Sequence, residues 1–464
     1  VNGNINPPAL SDKLQFVVVA RLNRQTEVCR TIKYKRRRAR RILLTLTLRV
    51  CSNRKGTNAM DRSELIYDWN RVGNAETAPR PLELNDETLR DGLQSPSVID
   101  PPIDKKLEIL HLMDSLSIDA ADIGLPGAGP RAVSDVTRLA KEIADCKLDI
   151  RPNCAARTVI ADIEPIIDIS EKVGIPIEAC TFIGSSPIRQ YAEGWSLEMM
   201  LTATEEAVRF AVSHGLSVMY VTEDTSRANP ATVRALYRTA IEAGAKRICV
   251  CDTVGHATPD GVRALIIYIK AVIEEMGLTD EIKIDWHGHQ DRGLGVINSI
   301  TAYEAGADRL HGTALGIGER VGNAPMDQLL VNLQLMGYID RDLSNLTRYC
   351  DTVSVSTGVP ISISYPIVGR DAFRTATGVH AAAVIKAFNK GDDWLADMVY
   401  SGVPARMLNR EQMIEIGPMS GKSNVMFWLS RNGIESTTER VERIFNRAKQ
   451  SDTVLTDEEI RRLI

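Results

Sequence analysis

His287-Gly288-His289 follows the alternating run Ile282-Lys283-Ile284-Asp285-Trp286, which reads as a β-strand. Side chains two apart on a strand share a face, so the two imidazoles stand side by side, as metal ligands would. An isolated pair of this kind also fits a polar strand end, so the decision rests on what else the chain delivers to the same place. Asp91, in Asp86-Glu87-Thr88-Leu89-Arg90-Asp91-Gly92-Leu93-Gln94, brings a carboxylate; Asn323, in Gly318-Glu319-Arg320-Val321-Gly322-Asn323, brings an amide oxygen. Together Asp91, His287, His289 and Asn323 make a mixed nitrogen and oxygen set that suits Mg2+, Mn2+ or Zn2+ in an open site. Two adjacent free positions of an octahedron match a 2-oxo acid, whose keto oxygen and one carboxylate oxygen chelate the ion, and the metal would polarise the carbonyl. Arg90 is placed to stabilise a growing alkoxide or thioester enolate, and Glu223 to handle a proton or a water. The plainer alternatives are an Arg90–Asp91 ion pair and a Glu223–Arg227 bridge.

Such groups meet only if the fold gathers their strands. From residue 82 onward, short apolar runs recur roughly every 30 residues, each followed by polar or glycine-rich residues and a segment of helical period. Strands are expected at 81–85, 118–123, around 148–150, and at 177–182, 216–221, 247–251, 282–286 and 307–310. Helices are expected at 103–116, 132–143, 197–214, 231–243 and 259–276. Eight such beats predict an α/β fold, a (β/α)8 TIM barrel over residues 81–338, with a smaller, mainly helical region at 339–464. In that architecture chemistry gathers at the C-terminal strand ends, which is where Arg90-Asp91, Glu223, Asp252-Thr253-Val254-Gly255, His287, His289 and the loop to Asn323 fall.

Composition is that of an ordinary globular protein, 44% hydrophobic and 25% charged, which excludes a disordered or membrane-embedded chain. The eight cysteines contain no C-x-x-C pair, and no secretory signal is evident, so reduced thiols and a cytoplasmic location are expected. Cys249-Val250-Cys251 is read as strand packing. Charge is uneven: residues 1–59 hold 14 Lys and Arg against Asp12 and Glu27, in a chain whose net charge is −4. The run Lys35-Arg36-Arg37-Arg38-Ala39-Arg40-Arg41 alone would suggest nucleic acid. Because ordinary composition begins at Met60, residues 1–59 are read instead as an extension outside the working protein, with 60–80 as a lead-in and no nucleic-acid or membrane partner.

Asp86–Gly92, Asp252-Thr253-Val254-Gly255-His256-Ala257-Thr258-Pro259, the His-x-His pair and Gly316-Ile317-Gly318-Glu319-Arg320-Val321-Gly322-Asn323 resemble the signatures of the 2-isopropylmalate synthase/homocitrate synthase family, metal-dependent Claisen-condensing barrels. The resemblance implies an acyltransferase that condenses acetyl-CoA with a 2-oxo acid and then hydrolyses the thioester. It implies metal ligation by Asp91, His287, His289 and Asn323, catalysis by Arg90 and Glu223, and substrate contacts from Gln94, Arg189 and Thr253. Residues 372–380 and 416–425 resemble subdomains that reach the partner's active site, implying a homodimer in which His380 and Tyr400 act in trans. The first expectation is 2-oxoisovalerate and leucine biosynthesis; the second is 2-oxoglutarate, because Arg189 stands near where homocitrate synthases bind the distal carboxylate. Leu93 gives Arg-Asp-Gly-Leu-Gln, the spelling of hydroxymethylglutaryl-CoA lyase, so a retro-Claisen lyase is the third.

Overall fold

In the computed structural model, residues 62–71 and 79–464 are described. They fall in two compact units that divide between residues 77 and 78. The first contributes a one-turn helix, Arg62–Leu65, and a turn at Trp69–Arg71. The expected basic extension, 1–59, lies outside the described residues.

The second unit opens with eight parallel strands that close into a barrel in chain order: β1 Glu83–Asp86, β2 Ala120–Asp122, β3 Arg151–Arg157, β4 Glu178–Gly184, β5 Val218–Glu223, β6 Arg247–Asp252, β7 Lys283–Gly288 and β8 Arg309–Gly312. Closure sets Glu83 beside Arg309 and Asn85 beside His311. Between and after the strands run α1 Ile103–Ser115, α2 Pro130–Cys146, α3 Ile160–Val173, α4 Leu197–Ser213, α5 Pro230–Ala243, α6 Pro259–Glu275, α7 Gly295–Ala305 and α8 Met326–Leu335. The chain is a TIM barrel followed by a helical region, as expected from its periodicity. Several helices start where a side chain accepts a free backbone N–H: Ser196 caps α4 and Thr258 caps α6.

Two local expectations differ from the structure. The third strand begins at Arg151 rather than near 148, because its buried residues Pro152, Asn153, Cys154, Ala155 and Ala156 are small or polar, and the branched apolar signal at Leu148 and Ile150 precedes it. Helices α3, α7 and α8 were absent from the pattern; α3 carries Pro165 in its interior, the residue that argues against a helix in sequence.

The large apolar core lies between the strands and the helices. The barrel interior differs: Asp285, Arg309 and His311 are almost fully buried there, with Arg247 and Glu178 beside them, next to a small sulfur-rich cluster of Cys180, Met219, Cys249 and Cys251. Packing of the barrel runs past residue 338. Helix α9, Leu346–Thr357, lies on α1, and its Tyr349 hydroxyl reaches both Asp86 and Thr88 after β1. Beyond it come β9 Arg374–Thr375 paired with β10 Met413–Ile414, and helices α10 Gly378–Asn389, α11 Asp393–Met398, α12 Lys422–Arg431, α13 Thr438–Lys449 and α14 Asp457–Arg461. A second core of Ile416, Val425, Leu429, Ile444 and Ile460 holds the last of these. No described helix is long and apolar enough to cross a membrane.

Candidate active site

β1 ends in Asp86, and the chain turns at once into the short helical turn Asp91–Gln94. The turn is pinned: Asp86 accepts from the Thr88 N–H at 2.8 Å, and the Thr88 hydroxyl accepts from the Ala314 N–H at 2.8 Å. Arg90 and Asp91 are thereby held at the barrel mouth. From the other side, the loop after β8 folds back so that Asn323 bridges to His289 at the end of β7. That loop is closed by Gly322, whose φ is +89° and where a Cβ would fall on the Gly316 carbonyl oxygen.

Asp91, His287 and His289 offer three ligand atoms within 4.8 Å of one another. The Asp91 Oδ2 lies 3.5 Å from His289 Nε2 and 3.8 Å from His287 Nε2. Burial pushes the Asp91 carboxyl up, but the neighbouring Arg90 and His287 charges outweigh it and keep the group ionised. Burial, with the His287 charge, lowers His289 to about 4, so its imidazole is neutral at physiological pH, as a metal ligand must be. His289 Nδ1 is buried without a hydrogen-bond partner. One carboxylate and neutral ring nitrogen converging in a cavity fit a divalent cation. Asn323 is where the sequence places it, but its Nδ2 donates to Asp91 Oδ2 at 2.7 Å and to the Ile317 carbonyl at 3.1 Å. In this orientation it steadies the carboxylate; ligation through its oxygen requires the amide to turn.

A second trio, Glu87, His287 and His311, is also close enough to hold an ion. Its charge is already matched. Glu87 bonds Arg90 and receives His311 Nδ1 at 2.5 Å, and His311 Nε2 reaches Asp285 Oδ2 at 2.8 Å. Burial would lower His311, but hydrogen bonds to Asp285 and Glu87 raise it, so a protonated ring fills the place a cation would take. A third trio, His111, Glu142 and Cys146, is largely exposed and ties α1 to α2.

Arg90 pairs with Asp91, the plainer expectation, and also with Glu87 and with Asp122 at 2.7 Å. Burial alone would lower its pKa; the three carboxylates raise it well above the usual value. Glu223, at the end of β5, lines the same cavity, and burial raises its carboxyl against the opposing Arg189 charge. The Glu223–Arg227 bridge does not form, since Arg227 chelates Asp224 at 2.7 and 2.8 Å. Gln94 and Thr253 line the cavity, and the Thr253 hydroxyl accepts from the Asp224 N–H at 2.8 Å. Arg189 does not line it: the half-exposed guanidinium pairs with Glu193 at 3.0 Å and lies over Trp195. His380 and Tyr400 stack, with ring centroids 4.4 Å apart, on the helical region away from the cavity.

Sequence reasoning missed Glu87, Asp122, Asp285 and His311. Glu87 stood inside a quoted motif; the others are charged residues on strands whose apolar run masked them, and alternation of Arg309 with His311 on β8 was the available signal.

The HMGL-like family model matches residues 81–356. The chain belongs to the HMGL-like family. Among similar HMGL-like proteins, "Homocitrate synthase AksA" of Methanopyrus kandleri is 32% identical over 80% of this chain and 89% of its own length. "Probable 2-isopropylmalate synthase" of the same organism is 31% identical, covering 80% and 70%. "Putative (R)-citramalate synthase CimA", also from Methanopyrus kandleri, is 28% identical, covering 82% and 71%. The crystal structure of hydroxymethylglutaryl-CoA lyase from Pseudomonas aeruginosa shares the fold at a TM-score of 0.51 and 18% identity, over 63% of this chain and 97% of that one.

Proposed function

We propose that this chain condenses acetyl-CoA with a 2-oxo acid and hydrolyses the resulting thioester, and that 2-oxoisovalerate is the oxo acid. The observation that carries this reading is one cavity holding Asp91, His287, His289, Arg90 and Glu223 against a wall of Ala155, Cys180, Phe182, Met219, Val221, Cys249 and Cys251. The wall is apolar, and the guanidiniums that line the cavity are already engaged, Arg90 with three carboxylates and Arg320 with Asp291 at 2.8 Å. A short branched side chain suits that wall; a distal carboxylate would meet no free cation there.

When held by Asp91, His287 and His289, with Asn323 alongside, a divalent ion supplies Lewis-acid polarisation of a keto carbonyl. Arg90 commits three of its five N–H donors to carboxylates, and the others remain for the oxygen that gains charge as the carbon–carbon bond forms. Thr253, fixed by Asp224, holds the oxo acid's carboxylate. The Glu223 carboxyl, raised by its burial, takes a proton from the water that adds to the thioester, and that proton leaves with the CoA sulfur. The exposed His380–Tyr400 stack serves the cavity of a second copy, in a homodimer, as the base that removes the acetyl methyl proton.

A 2-oxoglutarate reading has support in the homocitrate synthase likeness and in Arg189, whose charge is felt at Glu223. Purified protein with a divalent metal, acetyl-CoA and a panel of oxo acids, followed by free CoA, separates the readings. Release with 2-oxoisovalerate supports the first and release with 2-oxoglutarate the second. No oxo-acid-dependent release, with cleavage of a 3-hydroxy-3-methyl acyl-CoA, would replace both by a lyase.

A further inference from the structure

His311 is buried on β8, opposite Asn85 of β1, and touches two carboxylates at once. Its Nδ1 is 2.5 Å from Glu87 Oε1 and its Nε2 2.8 Å from Asp285 Oδ2. Asp285 is itself anchored: Arg309 bonds it at 2.5 Å and Arg247 at 2.6 Å, and these reach Glu178 and Glu83. The anchored end of the chain is therefore rigid; Glu87 and His311 both line the cavity, and Glu87 is the member that reaches His287. The same Glu87 Oε1 faces His287 Nδ1 at 3.3 Å, while His287 Nε2 faces Asp91. A carboxylate can only accept, so the one proton that a neutral, ligating His287 keeps sits on Nδ1 and its Nε2 lone pair is left toward Asp91.

We infer that His311 is a positioning residue: it pins Glu87 from the barrel interior, so that Glu87 presents His287 with Nε2 as the free ligand atom. Glu87 has few other holds on that oxygen, an Asn85 amide at 3.4 Å, while Arg90 takes the second oxygen. Without His311 the carboxylate is free to turn toward Arg90, and His287 loses the partner that fixes its tautomer and ring plane. Loss of such an outer partner weakens metal binding about 10–100-fold. The inference rests on the reading of Asp91, His287 and His289 as a metal centre, and it gives a role to Glu87 and His311, which lie outside that trio.

The test is a mutant cycle read by Zn2+ affinity and by the visible spectrum of the Co2+-loaded full chain. His311→Phe should weaken Zn2+ binding about 10–100-fold and shift the Co2+ bands. His311→Gln, whose amide can still donate to Glu87, should recover most of the affinity. If His311 acts through Glu87, His311→Phe combined with Glu87→Gln binds no more weakly than Glu87→Gln alone, whereas independent roles would add. Affinity unchanged in both His311 variants, or additive losses in the cycle, overturns the inference. Should His311→Phe fail to fold, His311→Leu takes its place both alone and in the cycle. A wild-type chain that binds neither Zn2+ nor Co2+ overturns the metal-centre reading instead, and this inference with it.

Discussion

Replacing His289 by glutamine should remove a specific piece of acid sensitivity from the fold. Burial and the His287 charge lower His289 from 6.5 to about 4. A lowered histidine binds its proton more readily in the unfolded chain, so the stability it contributes is full above about pH 6.5 and is lost as pH falls toward about 4. That gap corresponds to roughly 3 kcal/mol, of which about 2 kcal/mol is gone by about pH 5. Burial raises Asp86, Asp122 and Asp327 to about 6 each, which gives slopes of the opposite sign over the same range. Those groups remain in His289→Gln, so they cancel when the two proteins are compared. Urea unfolding with chelator present, followed by tryptophan fluorescence, has a local reporter in Trp286, fully buried on β7 beside His287. Between about pH 8 and about pH 5 the wild type should lose about 2 kcal/mol relative to the variant. A difference that does not change with pH, or one in which the wild type gains on acidification, refutes the reasoning.

Arg90→Lys keeps a charge but not the fork, and should lower kcat about 100–1000-fold with a smaller change in KM, measured by CoA release. Glu223→Gln should cost about 100–10,000-fold in kcat and erase the fall in rate below the raised Glu223 pKa; an acid limb that survives assigns it to another group. Asp285→Asn leaves Arg309 and Arg247 short of a buried partner and should destabilise the chain by about 3–5 kcal/mol in thermal or urea unfolding. Gly322→Ala cannot keep the loop that carries Asn323, so Zn2+ binding should weaken while the far-ultraviolet circular dichroism stays that of the wild type.

The barrel was legible because apolar, polar and helical-period segments recur in turn along the chain, and seven of its strands overlap the stretches expected; β3 was misplaced because its interior residues are small or polar. The ligand trio was legible because a strand's period of two fixes His287 against His289, and a motif marks Asp91. What spacing cannot carry is partnership across the barrel. Nothing in Arg309-Leu310-His311 says that its ring will lie between Glu87 and Asp285, more than 200 and more than 20 residues away. Arg189 was read by its place after β4, but its direction is decided by Glu193, one helical turn on, and by Trp195.

Tyr349 on α9 carries a consequence for how the protein can be divided. Its hydroxyl is bonded to Asp86 and lies 3.1 Å from the Thr88 hydroxyl, at the root of the segment that bears Arg90 and Asp91. A gene fragment ending at residue 338, where the eight-beat pattern stops, would encode every barrel strand and every proposed ligand yet strip the phenol from a buried carboxyl. Asp86 would then face an empty slot, and the turn that aims Arg90 would lose its outer brace. The shortest autonomous unit therefore extends through Thr357, and grafts or chimaeras that exchange the helical region should be cut beyond α9.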